Sequence, residues 1–217
     1  MGSARFSSVR MTRAARGLSL VAAQAHHCAA MDSASACMEP ATPQSYRNTI
    51  RALAGAVCIV TLGCGERKMG FTATSITSLS ADPPTLLFCI QRSSFAYAAL
   101  AAEAAFAVNV LAAGQREYAE RFSGFGGHRG GDRYHGKDWL ELPSGVTGLR
   151  SAAAILDCAV EERLERATHA ILIGRVRNVG LGDGSGALLY WQAAYDEIGW
   201  SRDEIDRAIG LSPRGGL

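Results

Sequence analysis

From residue 56 to residue 198 the chain is a succession of β-rich apolar runs separated by short helical patterns. The clearest runs are AVCIVTL at 56–62, TLLFCIQ at 85–91, AFAVNVL at 105–111 and ALLYWQ at 187–192, with longer strand patterns at 153–164 and 169–179. Parallel strands need a crossover of a dozen or more residues after nearly every strand, usually a helix. The intervals here are too short to supply one. Antiparallel pairing therefore remains, and closing the strands into a small barrel is the economical way to remove exposed edges. The expected class is mainly β with short helices.

Turn chemistry sets the connections. GCGERK at 63–68 predicts a hairpin between the run at 56–62 and the segment GFTATSITSLS that follows at 70–80. Asp82-Pro83-Pro84 removes two N–H donors and fixes φ twice, so the strand must break there and the chain turn rigidly. Residues 180–186 form a glycine-rich turn after which 187–192 is expected to return, and 195–198 closes the sheet region. Short helices are predicted after Ser45, after Ser93 or Ser94, and over 115–122. Ser201 with Glu204 makes a capping box for a terminal helix over 202–209, ended by Gly210. Residues 124–148 read as a long loop, with His128, Arg129, Arg133 and His135 able to meet a dinucleotide phosphate or to stay solvated. Its first part, residues 124–136, reads equally as a lid or as a plain connector.

The first 30 residues hold Arg5, Arg10, Arg13 and Arg16 and no acid, with much Ala and Ser. Residues 1–42 are expected to be a disordered leader or extension, 43–199 a single domain, and 200–217 a C-terminal helix and tail. At 217 residues with a net charge of +2, no field argues for nucleic acid or a membrane surface as a partner, and no apolar run is long enough to span a bilayer. The cysteines at 28, 37, 58, 64, 89 and 158 form no CxxC pair, so a reducing, cytoplasmic setting is expected. Cys58, Cys89 and Cys158 fall in apolar runs and read as small buried hydrophobes. His26-His27-Cys28 lacks further ligands in a scaffold, so no metal site is expected.

Familiar catalytic signatures fail on inspection. Residues 131–138 imitate a Walker A loop but carry Asp138 where Ser or Thr must reach magnesium. Residues 124–130 miss the dinucleotide GxGxxG spacing, and no GxSxG or HExxH occurs. No nucleophile, base and orienter assemble, so an enzyme here needs chemistry supplied by a cofactor. The hydroxyls of Thr72, Thr74, Ser75, Thr77, Ser78 and Ser80 suit a ligand with phosphate at one end and a heteroaromatic ring at the other. A solvent-facing edge strand explains them too. Gln91-Arg92-Ser93-Ser94, seven residues past the prolines, opens a helix with hydroxyls and a guanidinium suited to an anion.

Residues 70–94 resemble the core motif of the flavin reductase family that supplies reduced flavin to two-component monooxygenases. The resemblance continues through FAVNVLAAGQREYAERFSG at 106–124 and THAILIGRV at 168–176 to LLYWQAAY at 188–195. It implies an FMN-binding split β-barrel, a Greek-key-like antiparallel barrel acting as a homodimer. It also implies FMN or FAD as flavin, NADH or NADPH as hydride donor, and a separate monooxygenase receiving the reduced flavin. Thr72, Ala73, Thr74 and Ser75 would line the flavin, with Ser78, Leu79 and Ser80 near its ring and ribityl chain. Gln91, Arg92, Ser93 and Ser94 would hold the phosphate end, and His169 would sit beside flavin and nicotinamide as the catalytic-site histidine. Two departures stand out: Ala167-Thr168 where many members have Gly-Asp, and Ala194 where Gly is common before the final Tyr. The alternative is a flavin- or haem-binding split-barrel carrier or sensor without turnover.

Overall fold

The computed structural model describes residues 40–182 and 186–199. The chain divides into two units between Tyr46 and Arg47. Helix α1 (Pro43–Ile50) begins in the first, started by Thr42 rather than Ser45. The Thr42 hydroxyl accepts the Ser45 amide at 3.1 Å while the Ser45 hydroxyl accepts the Thr42 amide at 2.9 Å, a reciprocal cap with proline in the first helical position. The leader up to residue 39 and the helix expected over 202–209 lie outside the described residues.

The second unit is built on a seven-stranded antiparallel sheet. Its strands are β2 (Cys58–Leu62), β3 (Met69–Ala73), β4 (Thr77–Ala81), β5 (Pro84–Gln91), β6 (Ala105–Val110), β9 (Ala154–Arg166) and β10 (His169–Leu181). They lie in the order β3-β2-β6-β9-β10-β5-β4. The hydroxyl-rich segment expected as one strand is thus two, β3 and β4, at opposite edges of the sheet. Only residues 74–76 join them, a reach of about 14 Å. Laid flat, the same edges would stand about 29 Å apart. The sheet must therefore curl until its edges nearly meet, and the seam left between β3 and β4 is the split of a split barrel.

Alternation of side chains fills the interior. Cys58, Val60 and Leu62 of β2 meet Leu86, Phe88 and Ile90 of β5, Phe106 and Val108 of β6, Cys158 of β9, and Ala170 and Leu172 of β10. Phe88 stands edge-on to Phe106 at 5.4 Å and tilted to Phe71 at 6.1 Å. Burial pushes the Cys58 and Cys158 thiols up to about 12. Cys89, expected to be buried with them, is exposed, because on β5 it alternates with the inward Phe88 and Ile90. Asn109, set among apolar neighbours, is buried and satisfied: its amide reaches the Ile59 carbonyl at 3.0 Å, and its oxygen accepts the Leu149 amide at 2.7 Å.

A second, three-stranded sheet runs β1 (Gly55–Ala56), β11 (Ala187–Trp191), β12 (Ala194–Ile198). Its order β1-β11-β12 corrects the expected return of residues 187–192 along β10. The hairpin joins β11 to β12 instead, through Gln192 and Ala193 at φ 51° and 62°. Those two non-glycine residues occupy a turn that favours glycine or asparagine, which hid it from the sequence. Val57, Leu111 and Leu188 tie the small sheet to the barrel through three backbone bonds of 2.9–3.0 Å.

Two helices flank the barrel: α2 (Phe95–Ala102), with Ser94 accepting the Tyr97 amide as its cap, and α3 (Arg116–Ser123). The long loop after α3 is not structureless. It holds two 3-10 turns and a hairpin of β7 (Trp139–Glu141) with β8 (Thr147–Leu149).

Candidate functional site

The seam is closed by side chains where the ladder stops. Ser75 Oγ accepts the Cys89 amide at 3.1 Å and donates to the Cys89 carbonyl at 3.2 Å, standing in for a strand partner beyond the start of β4. Thr72 donates to the Ala119 carbonyl at 2.6 Å and so fixes α3 against β3. Ser80 donates to the Asp82 carbonyl at 3.0 Å and accepts its amide, shaping the turn before Pro84. Half of the hydroxyl run is thus structural. Thr74, Thr77 and Ser78 remain exposed, as does Leu79, while Ala73 is buried.

Register decides which candidates meet. On β5 and β10, Gln91 pairs with His169, so the predicted anion end and the predicted histidine share one end of the barrel. Ser75, bonded to Cys89, is close to that end. Ser78 pairs with Leu86 and Ser80 with Thr85, which puts both about 16 Å or more along β5 from Gln91. The structure therefore gathers Ser75, residues 91–94 and His169, and sets residues 78–80 apart.

At that end, Ser93 is exposed, and Ser94 uses its oxygen as a cap for the Tyr97 amide. Arg92 is already engaged. Its guanidinium lies 2.6 Å from Glu165 and donates to the Ala167 carbonyl at 3.1 Å, and its amide donates to Thr168 O at 3.0 Å. Tyr97 donates to the other Glu165 oxygen at 2.7 Å, and this hydrogen bond is the main reason its phenol is held above the ordinary tyrosine range. Thr168 Oγ1 sits 2.9 Å from His169 Nδ1. Sequence reasoning missed Glu165 and Tyr97. In the alternating run EERLER a glutamate looks like any solvent-facing strand residue, and only the tertiary pairing singles it out.

Two clefts flank the seam. One, of about 730 Å³, is lined by Thr74, Ser75, Thr77, Cys89, Tyr190 and Trp191 among others. The other, of about 620 Å³, lies among Phe71, Phe95, Ala96, Phe122, Arg129 and Arg133. Both fall in the range of small-molecule sites, roughly 300–1,000 Å³. Of the loop's basic groups, Arg133 donates to the Gly70, Phe122 and His128 carbonyls at 2.7, 3.2 and 3.0 Å. Tyr134 hydrogen-bonds the Met69 carbonyl, so this part of the loop is a strap on the β3 edge. His135 contacts Asp132 O at 2.9 Å, whereas His128 and Arg129 are exposed. Among the described residues no cluster of His, Cys, Asp and Glu suits a metal ion, and no helix is long and apolar enough to cross a membrane.

The family model described as a flavin reductase like domain matches residues 50–199. The chain belongs to the flavin reductase family. The FMN reductase (NADH) RutF of Bradyrhizobium diazoefficiens is 36% identical over 75% of this chain and 89% of its own length. The NADH:FAD oxidoreductase SgcE6 of Streptomyces globisporus superposes with a TM-score of 0.68 at 29% identity, covering 75% of this chain and 98% of the other. BorF, the flavin reductase component of a bacterial two-component tryptophan halogenase, gives 0.68 at 28% identity over 72% and 98%.

Within this flavin reductase domain, Ala167 has an unusual backbone conformation. Ala167 lies at φ 48° in the two-residue turn from β9 to β10, where Arg166 pairs with His169. Positive φ at the first central residue is the place where a tight hairpin favours glycine. Here an alanine holds the turn that leads into the candidate histidine.

Proposed function

We propose that this protein is an NAD(P)H-dependent flavin reductase that passes reduced flavin to a separate monooxygenase. The observation that carries the reading is the pairing of Gln91 with His169 in a chain that matches the family across residues 50–199. FMN and NADH are supported by the names of the RutF relatives. FAD is supported by SgcE6, described with NAD and FAD fragments bound. The exposed seam, the hydroxyls at its rim and the adjacent clefts fit a flat ring carrying a phosphate tail.

Bound flavin and NAD(P)H would supply the chemistry, a hydride transfer that oxidises the nicotinamide and reduces the flavin. The chain's task is to bind and orient. Ser93, the hydroxyl of Ser94 and the first amides of α2 would hold the phosphate end, with Gln91 beside them. Thr74 and Ser75 present small polar side chains and backbone along the ring edge, where donors stabilise developing negative charge. His169, oriented by Thr168, holds the nicotinamide against the flavin. Holding the two rings in contact makes transfer effectively unimolecular. A homodimer and a cytoplasmic setting belong to the same reading.

The test is NADH and NADPH oxidation, followed by absorbance, with FMN, FAD or no flavin. A flavin-dependent rate is expected with at least one pair. No such rate with either nicotinamide would remove the reductase, and a Soret band on the purified protein would replace it with a haem carrier.

A further inference from the structure

The phosphate end contains an acid that its proposed ligand does not want. Glu165 on β9 pairs with Ala170 of β10, one position beyond the His169–Gln91 pair. Both of its oxygens are held: Oε2 by Arg92 at 2.6 Å, Oε1 by the Tyr97 hydroxyl at 2.7 Å. Tyr97 belongs to the first turn of α2, the turn that Ser94 caps. The carboxylate therefore occupies the guanidinium that would face an anion at residues 91–94. The pair is also easily parted, since the Arg92 and Glu165 side chains are 43% and 50% exposed. Ion pairs so wetted are worth little in general. A phosphate dianion offers an arginine a stronger, two-pronged partner.

We propose that Glu165 is a built-in competitor for Arg92, a carboxylate that a flavin phosphate must displace in order to bind. This rests on the flavin reading above and deepens it. Tyr97 keeps the competitor in place, because its hydroxyl anchors the oxygen that Arg92 does not use. Flavin then enters by exchange at Arg92 rather than by filling an open cationic site, and it leaves by the reverse exchange as the carboxylate closes back. Such a site favours a flavin that comes and goes over one held permanently. It also discriminates by charge: the effect applies to a flavin with a terminal phosphate and spares one without.

Fluorescence titration of FMN and of riboflavin, which lacks the phosphate, tests this on the full chain. Glu165→Gln is expected to tighten FMN by roughly 1.5- to fivefold and to leave riboflavin unchanged. Tyr97→Phe should tighten FMN in the same direction by a smaller factor. Arg92→Gln should weaken FMN and largely abolish the gain from Glu165→Gln when the two are combined. Unchanged or weaker FMN binding in Glu165→Gln, or equal tightening of riboflavin, overturns the proposal, because Glu165 would then merely brace Arg92 or the strand. Wild-type protein that binds neither FMN nor riboflavin overturns the flavin reading itself, a separate outcome seen before any variant is made.

Discussion

β5 and β10 pair from Thr85 to Gln91, yet the two parts of this ladder are built on opposite terms. At Gly174, opposite Leu86, a Cβ would lie 2.3 Å from Phe106 Cζ, so the backbone there makes room for an aromatic ring and nothing else fits. At Gln91, opposite His169, the residues are exposed and polar, and their bonds are of the kind that solvent or a ligand can replace. One continuous hydrogen-bonded ladder joins the two. A rigid interior thereby holds an exchangeable rim to fixed spacing without filling it.

The largest test of that contrast falls on the interior. Phe88→Ala should destabilise the fold by about 3–5 kcal/mol, read as a lower denaturation midpoint, because its ring contacts both Phe71 and Phe106 at the barrel centre. Next comes the rim. Ser93→Ala combined with Ser94→Ala should weaken FMN binding at least tenfold, since each hydrogen bond to a charged group is worth about 1.5–3 kcal/mol. The double variant also loses the α2 cap, at about 1 kcal/mol of stability. Ser93→Ala alone keeps the cap, and a weaker flavin affinity at unchanged melting temperature would separate binding from folding. The smallest effect lies just past the rim, at the turn that leads into His169. Ala167→Gly should stabilise the protein by about 0.5–1 kcal/mol by relieving its left-handed backbone. A lower melting temperature would show that the alanine packs usefully.

Strand runs such as 85–91 and 105–111 were legible because continuous apolar, β-branched content reports burial directly, whereas the run 56–62 is split, Ala56 joining the small sheet in β1 and Cys58–Leu62 the barrel in β2. The Pro84 break and the Ser94 cap were legible because their chemistry is local. What escaped depended on distance. The division of the hydroxyl run between two sheet edges follows from curvature, which no window of sequence contains. The β11–β12 hairpin escaped because Gln192 and Ala193 carry no turn signature. In the site, residues 91–94 and His169 were named from sequence, and their meeting is a matter of register between strands. The structural duties of Thr72 and Ser80, and the engagement of Arg92 by Glu165, come from side chains far apart in the chain or hidden in a turn.

The three backbone bonds among Val57, Leu111 and Leu188 bear on the cleft beside the seam. All three residues are buried, and their bonds weld the small sheet, with Tyr190 and Trp191, to the barrel that carries Thr74 and Ser75. The two walls of that cleft are therefore tied together through main chain rather than through side chains alone, which fixes the width of its opening.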